Sequence, residues 1–261
     1  MARMLALLLA ALGFCASAAA TVIATEVGFK DGDTQLTGLL AYDDAVKGKR
    51  PGVLLVHEFW GLTQHTRDYA RELAARGYTA LAVDMYGKVG DTRDAAAGLM
   101  NGLMSKPEVV KARFDGWRKL LASEPTVDPK RIAAIGFSMG GRIVLDRARA
   151  GDNLAGVASF YGNLETKAPA KAGGVKSRVL VLNADSDPFV KPESIPAFKS
   201  EMDAAKVKYR FVSYPVKHAF SNPDATANGQ KFNMPIAYDE EANRKAREEL
   251  VKFLGEAFGK R

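Results

Sequence analysis

The run Gly136-Phe137-Ser138-Met139-Gly140-Gly141 fits the pattern G-x-S-x-G. It lies between an apolar stretch, Arg131 to Gly136, that reads as a buried strand, and a helix-like stretch reaching to about Ala150. A turn this sharp lifts the serine hydroxyl clear of the sheet, and a side chain at either flanking glycine would clash. The helix opening at Met139 directs its free N–H groups and the positive end of its dipole at the same place. Such a serine could attack a carbonyl carbon; the plainer reading is a glycine-rich turn with an incidental serine.

A nucleophilic serine needs a base, and the chain has three histidines, His57, His65 and His218. His218 falls after the last expected strand and before the final helix, where a loop can reach back to residue 138. It also completes the order Ser, acid, His. His57 ends a buried strand and reads as a packed structural histidine, whereas His65 starts a helix and is expected to be exposed. The acid is expected at Asp187, which precedes Pro188 and so has an extended backbone. Asp185 is the second choice, as a brace for the loop. Asp187 would hold the imidazole in the right tautomer and stabilise the imidazolium. Two backbone N–H groups should form an oxyanion hole: Met139, and Phe59 from the loop after the first buried strand. Each is worth on the order of a hundredfold in rate. Glu58 is unusual there, since a carboxylate would repel an oxyanion. It is expected to bond a hydroxyl or the resting serine, or else to turn out to solvent.

The elements that must position these groups alternate. Strands are expected over 22–29 and 35–42, joined by Lys30-Asp31-Gly32-Asp33. Gly52 to His57, Tyr78 to Val83, Ala155 to Tyr161 and Arg178 to Asn183 are short apolar runs, the pattern of strands covered on both faces; Tyr209 to Tyr214 is the last strand. Helices are expected over 63–76, 91–104, 107–123, 192–205 and 237–258. The last carries Ala242, Ala246, Leu250, Phe253 and Leu254 on one side. Strand–helix alternation implies an α/β fold: a mostly parallel, twisted sheet with helices on both faces. Ala168 to Val175 is the loosest stretch and reads as a surface loop, so 21–261 is expected to be one domain.

Residues 1–20, MARMLALLLAALGFCASAAA, read as a secretory signal peptide. Arg3 is the positive start, Leu5 to Phe14 the short apolar core, and Ala18 or Ala20 the cleavage position. The protein is therefore expected in the periplasm or secreted, with no membrane insertion once the leader is removed. The one cysteine, Cys15, would leave with it, which excludes disulfides and thiolate chemistry from the mature chain. The formal charge of +7, less Arg3, is spread thinly with no run of five like charges, so solvated surface lysines explain it better than a nucleic-acid partner. Apolar content of 47% and charged content of 26% exclude disordered and fibrous classes. No metal-ligand cluster is apparent, and no cofactor is expected.

Five motifs in order, His57-Glu58-Phe59-Trp60-Gly61, Asp84-Met85-Tyr86, Gly136 to Gly141, Asp187-Pro188-Phe189-Val190 and His218-Ala219-Phe220, resemble those of the dienelactone hydrolase family of α/β-hydrolases. The resemblance runs from about residue 25 to the C-terminus. It implies the α/β-hydrolase fold, supports Phe59 and Met139 as oxyanion donors, and matches Glu58 to the glutamate that contacts the resting nucleophile. It also implies that Trp60 and Tyr86 lie near the substrate. Two departures bear on specificity. The best-known members use a cysteine where this chain has Ser138. They also grip the substrate carboxylate with two arginines, at places that here look like Lys88 and Asn222. Lysine cannot reproduce a guanidinium fork. The expected small-molecule substrate is therefore a generic carboxylic ester or small lactone, cleaved through an acyl-enzyme. Thioester or peptide cleavage on the same triad, or a non-catalytic exported binding protein that keeps the fold, are the alternatives.

Overall fold

A computed structural model describes residues 21–259; residues 1–20, expected to be a leader, lie outside the described residues together with Cys15. The chain runs β1 (Val22–Asp31), β2 (Thr34–Asp43), β3 (Arg50–Val56), α1 (Gln64–Ala75), β4 (Thr79–Val83), α2 (Arg93–Met104), α3 (Pro107–Ser123) and β5 (Val127–Phe137). It continues with α4 (Met139–Arg149), β6 (Gly156–Phe160), β7 (Arg178–Ala184), α5 (Ser194–Ala204), β8 (Tyr209–Tyr214), α6 (Ala225–Phe232) and α7 (Glu240–Ala257).

The strands form one sheet in the order β1-β2-β4-β3-β5-β6-β7-β8. β2 pairs antiparallel with both β1 and β4, and every pairing from β4 to β8 is parallel. Alternate residues of the central strands enter two separate cores. Val53, Leu55, Ile135 and Leu182 face one cluster, covered by Tyr69 and Leu73 of α1 and by Leu250 and Phe253 of α7. Leu54, Val56, Ala134 and Val181 face the other, covered by Phe114 and Trp117 of α3, Val144 of α4 and Phe198 of α5. Both faces are therefore dry, which is why these strands read as continuous apolar runs; each fully buried leucine contributes about 1.5–3 kcal/mol.

The chain leaves β3 toward β4 on one side and returns to β5 on the other. The order reverses there, which opens a crevice beyond the carboxyl ends of the strands. Residues 57–63, 138, 161, 187 and 218 all lie just past those ends. Two departures from the sequence expectation exceed a shift of a residue or two at an element's edge near the site. The final helix begins at Glu240, because Asp239 caps it by accepting from Ala242 N–H, rather than at Ala237. α6 was not anticipated: it is only eight residues long and includes Asn228-Gly229, poor helix formers, and Asn233 closes it in the left-handed region. No helix among the described residues is long and apolar enough to cross a membrane.

Candidate active site

Ser138 stands between β5 and α4 with φ 53° and ψ −114°. Its N–H donates to the Phe160 carbonyl at 2.9 Å, and its own carbonyl accepts from Arg142 N–H. The flanking glycines are required by close approach: a Cβ at Gly136 would collide with the Gly140 carbonyl, and one at Gly140 with the Val56 carbonyl. Of the five described non-glycine residues with positive φ, four (Ser138, Tyr161, Ala219 and Asn233) line one cavity. Backbone strain is thus concentrated at the site.

Ser138 Oγ lies 2.8 Å from His218 Nε2, and His218 Nδ1 lies 2.5 Å from Asp187 Oδ2. The other Asp187 oxygen accepts from Phe189 N–H at 2.8 Å, so the carboxylate is held from two sides. Asp187 and His218 are buried. The loop bearing His218 is anchored by a parallel bridge to Ile236, with Ala237 N–H donating to the His218 carbonyl. Asp185 is exposed and accepts from Asn183 Nδ2, a bracing role.

His57 is fully buried and pins the neighbouring turns. Nε2 accepts from Met85 N–H at 3.0 Å, so the ring hydrogen sits on Nδ1, which donates to the Glu58 carbonyl at 2.6 Å. Burial lowers its pKa and keeps the ring neutral. Asp84 accepts from the N–H groups of Tyr86 and Gly87 and shapes the adjoining turn. The two turns meet at Gly61, where a Cβ would come within 2.8 Å of the Lys88 carbonyl, and Gly90 N–H donates to the Trp60 carbonyl. This framework fixes Phe59. Phe59 and Met139 both line the cavity, and Met139 is the first residue of α4, where an N–H has no intrahelical acceptor.

Glu58 is buried, and its oxygens are taken by groups other than Ser138. Oε1 accepts from Tyr161 Oη at 2.9 Å and Oε2 from Asn222 Nδ2 at 2.6 Å. Because the Tyr161 hydrogen is committed to Glu58, the 2.7 Å contact between Tyr161 Oη and Ser221 Oγ makes Ser221 the donor. Burial alone would raise the Glu58 carboxyl. His65, whose Nδ1 stands 3.7 Å from Oε2, together with Tyr161 and His218, outweighs burial and holds it below the ordinary glutamate value. Burial and the neighbouring carboxylate push the Tyr161 phenol well above its ordinary value, which keeps it a donor.

Of the readings offered for Glu58, the bond to a hydroxyl holds: its partners are the Tyr161 hydroxyl and Asn222, neither solvent nor the resting serine. Three other expectations change at this level. His65 is buried, packed against Tyr69 and Phe137, because the end of β5 and the 218–222 loop cover the start of α1. Lys88 is exposed and does not line the cavity, since its turn presents backbone toward Gly61. Tyr86 lies beneath the cavity wall, its hydroxyl 2.9 Å from Met139 Sδ and its ring against His57. Trp60 does line the cavity, as does Asn222. The sequence reading missed Tyr161, Ser221 and two cations on the wall, Arg93 and Arg142. Arg142 could have been suspected from its place one helical turn past Ser138.

The cavity over Ser138 has a volume of about 540 Å³, within the range of small-molecule sites. Among the described residues no group of three or more His, Cys, Asp or Glu side chains could hold a metal ion.

The dienelactone hydrolase family model matches residues 36–258. A Salmonella typhi protein with the provisional name carboxymethylenebutenolidase is 33% identical over 193 residues, covering 68% of this chain and 70% of that protein. Its Escherichia coli (strain K12) namesake is 31% identical over 213 residues, covering 74% and 77%. Among solved structures, m3DLH superposes with a TM-score of 0.83 at 33% identity, covering 91% of this chain and 99% of that one. P91, a dienelactone hydrolase-like promiscuous phosphotriesterase from metagenomic libraries, gives 0.84 at 30% identity, again covering 91% and 99%. Sequence and architecture agree across nearly all of the described chain, which belongs to the dienelactone hydrolase family of α/β-fold hydrolases.

Proposed function

We propose that this hydrolase cleaves carboxylic esters or small lactones with Ser138 as nucleophile, His218 as base and Asp187 as its orienting acid. The observation that carries the reading is the hydrogen-bonded row from Ser138 Oγ through both ring nitrogens of His218 to Asp187. As Oγ attacks the carbonyl carbon, Nε2 takes its proton, and the imidazolium is stabilised by the Asp187 carboxylate. The carbonyl oxygen, now negative, accepts from the Phe59 and Met139 N–H groups. Collapse breaks the bond to the alcohol, which leaves with the proton from Nε2. Water, deprotonated by the same nitrogen, then attacks the acyl-serine and releases the acid and the free hydroxyl. For a lactone, the leaving hydroxyl remains part of the product. The leader-like residues 1–20 support export to the periplasm or medium.

The test is a fluorophosphonate probe with a panel of p-nitrophenyl esters, lactones, thioesters and peptides. Wild type should be labelled and should turn over esters, while Ser138→Ala should do neither, losing at least about a thousandfold in kcat/KM. Probe labelling of neither protein would favour a binding protein, and turnover confined to thioesters or peptides would move the substrate class.

A further inference from the structure

We infer that the natural substrate carries a sizeable apolar group, a medium-length alkyl chain or an aryl ring, and that α2 is the wall that selects it; this rests on the ester-hydrolase reading. The cavity-facing residues of α2 recur at helical steps, Arg93, Ala97, Met100, Asn101 and Met104. One stripe of the helix therefore faces the cavity, polar at its start and apolar at its end. The rest of α2 is lightly held: only Ala96 and Leu103 are buried, against four buried side chains on α3, Trp117 among them. Met234 also lines the cavity, in the Met234-Pro235-Ile236 segment that bridges directly to His218. A group extending from a substrate carbonyl placed at Ser138 Oγ thus meets thioether walls, and methionine adapts to chains and rings of varied shape.

Phe189 supplies a second, independent observation. Only two large apolar side chains are conspicuously exposed among the described residues, and one of them, Phe189 at 45%, lines this cavity with its ring edge-on to His218 at 5.0 Å. An apolar lip beside the base loses its contact with water when an apolar group lies on it. A small polar lactone would leave both this lip and the methionine wall uncovered.

The test compares kcat/KM along two series: p-nitrophenyl acetate, butyrate, hexanoate and octanoate for the acyl side, and ethyl, butyl and octyl acetate for the alcohol side. Efficiency should rise by roughly threefold per methylene along at least one series until the cavity is full. Met104→Trp, which fills the wall, and Phe189→Ser, which removes the lip from an exposed position, should each lower the long-to-short ratio, by on the order of tenfold for the first. Because wild type reads the profile without any substitution, misfolding of Met104→Trp cannot hide the answer. Flat or falling profiles in both series, with acetate esters still hydrolysed, overturn this inference alone. Failure to hydrolyse any ester overturns the parent reading with it.

Discussion

Asn222 Nδ2 donates to Glu58 Oε2 at 2.6 Å, joining residues 164 positions apart in the cavity lining. With Tyr161 on the other oxygen, the pair holds a buried carboxylate in one orientation without any arginine. Replacing Asn222 by Leu should leave that oxygen without its closest donor. The expected cost is about 1–3 kcal/mol of stability, measured by urea denaturation, with a fall in kcat as the neighbouring 218–222 loop loosens. Unchanged stability would show that the hydrogen bond contributes nothing net.

Asp187→Asn keeps the shape of the side chain but offers His218 Nδ1 an amide in place of a carboxylate. If the amide nitrogen faces the ring, Nδ1 must accept and Nε2 carries the hydrogen, so it cannot take the serine proton. The expected loss in kcat is on the order of 10³–10⁴, with the melting temperature nearly unchanged. A loss of tenfold or less would remove Asp187 from the proposed triad and turn attention to Asp185.

Glu58 sets a pH dependence of stability. Its folded pKa is lowered, despite burial, by His65, Tyr161 and His218. Its contribution is therefore fully present above the ordinary glutamate pKa and is lost as pH falls through the lowered folded value. Denaturation midpoints followed from neutral pH into that acid window should drop more steeply for wild type than for Glu58→Gln, so the two curves converge on acidification. Parallel curves would sink this assignment.

Gly136→Ala introduces a Cβ that collides with the Gly140 carbonyl at the turn between β5 and α4. The backbone on both sides is buried and has no room to give. The variant should lose at least about 3 kcal/mol or fail to fold, read by thermal melting. Gly98→Ala, whose Cβ meets nothing within 4 Å in α2, is the control and should gain up to about 1 kcal/mol.

The central strands were legible because burial on both faces writes itself as unbroken apolar runs. The turn at Ser138 was legible because its steric demand for glycine is met within six consecutive residues. Those are local constraints, and local sequence carries them. The fate of Glu58 was not legible in that way. Its partners lie 103 and 164 residues away, and no spacing rule links them before the loops after β6 and β8 come together. His65 was misread for the same reason: a position in the first turn of α1 has a face, but what packs on that face comes from β5 and from the 218–222 loop. Lys88 and Tyr86 occupy a turn whose path, set by Asp84, His57 and Gly61, decides that Lys88 offers backbone toward the site while the Tyr86 side chain packs behind Met139 and His57. Sequence by itself determined the sheet, the helices that cover it and the chemical groups available. Only the tertiary structure decided which of those groups face the same cavity, because side-chain direction at loop positions depends on contacts made across the whole chain.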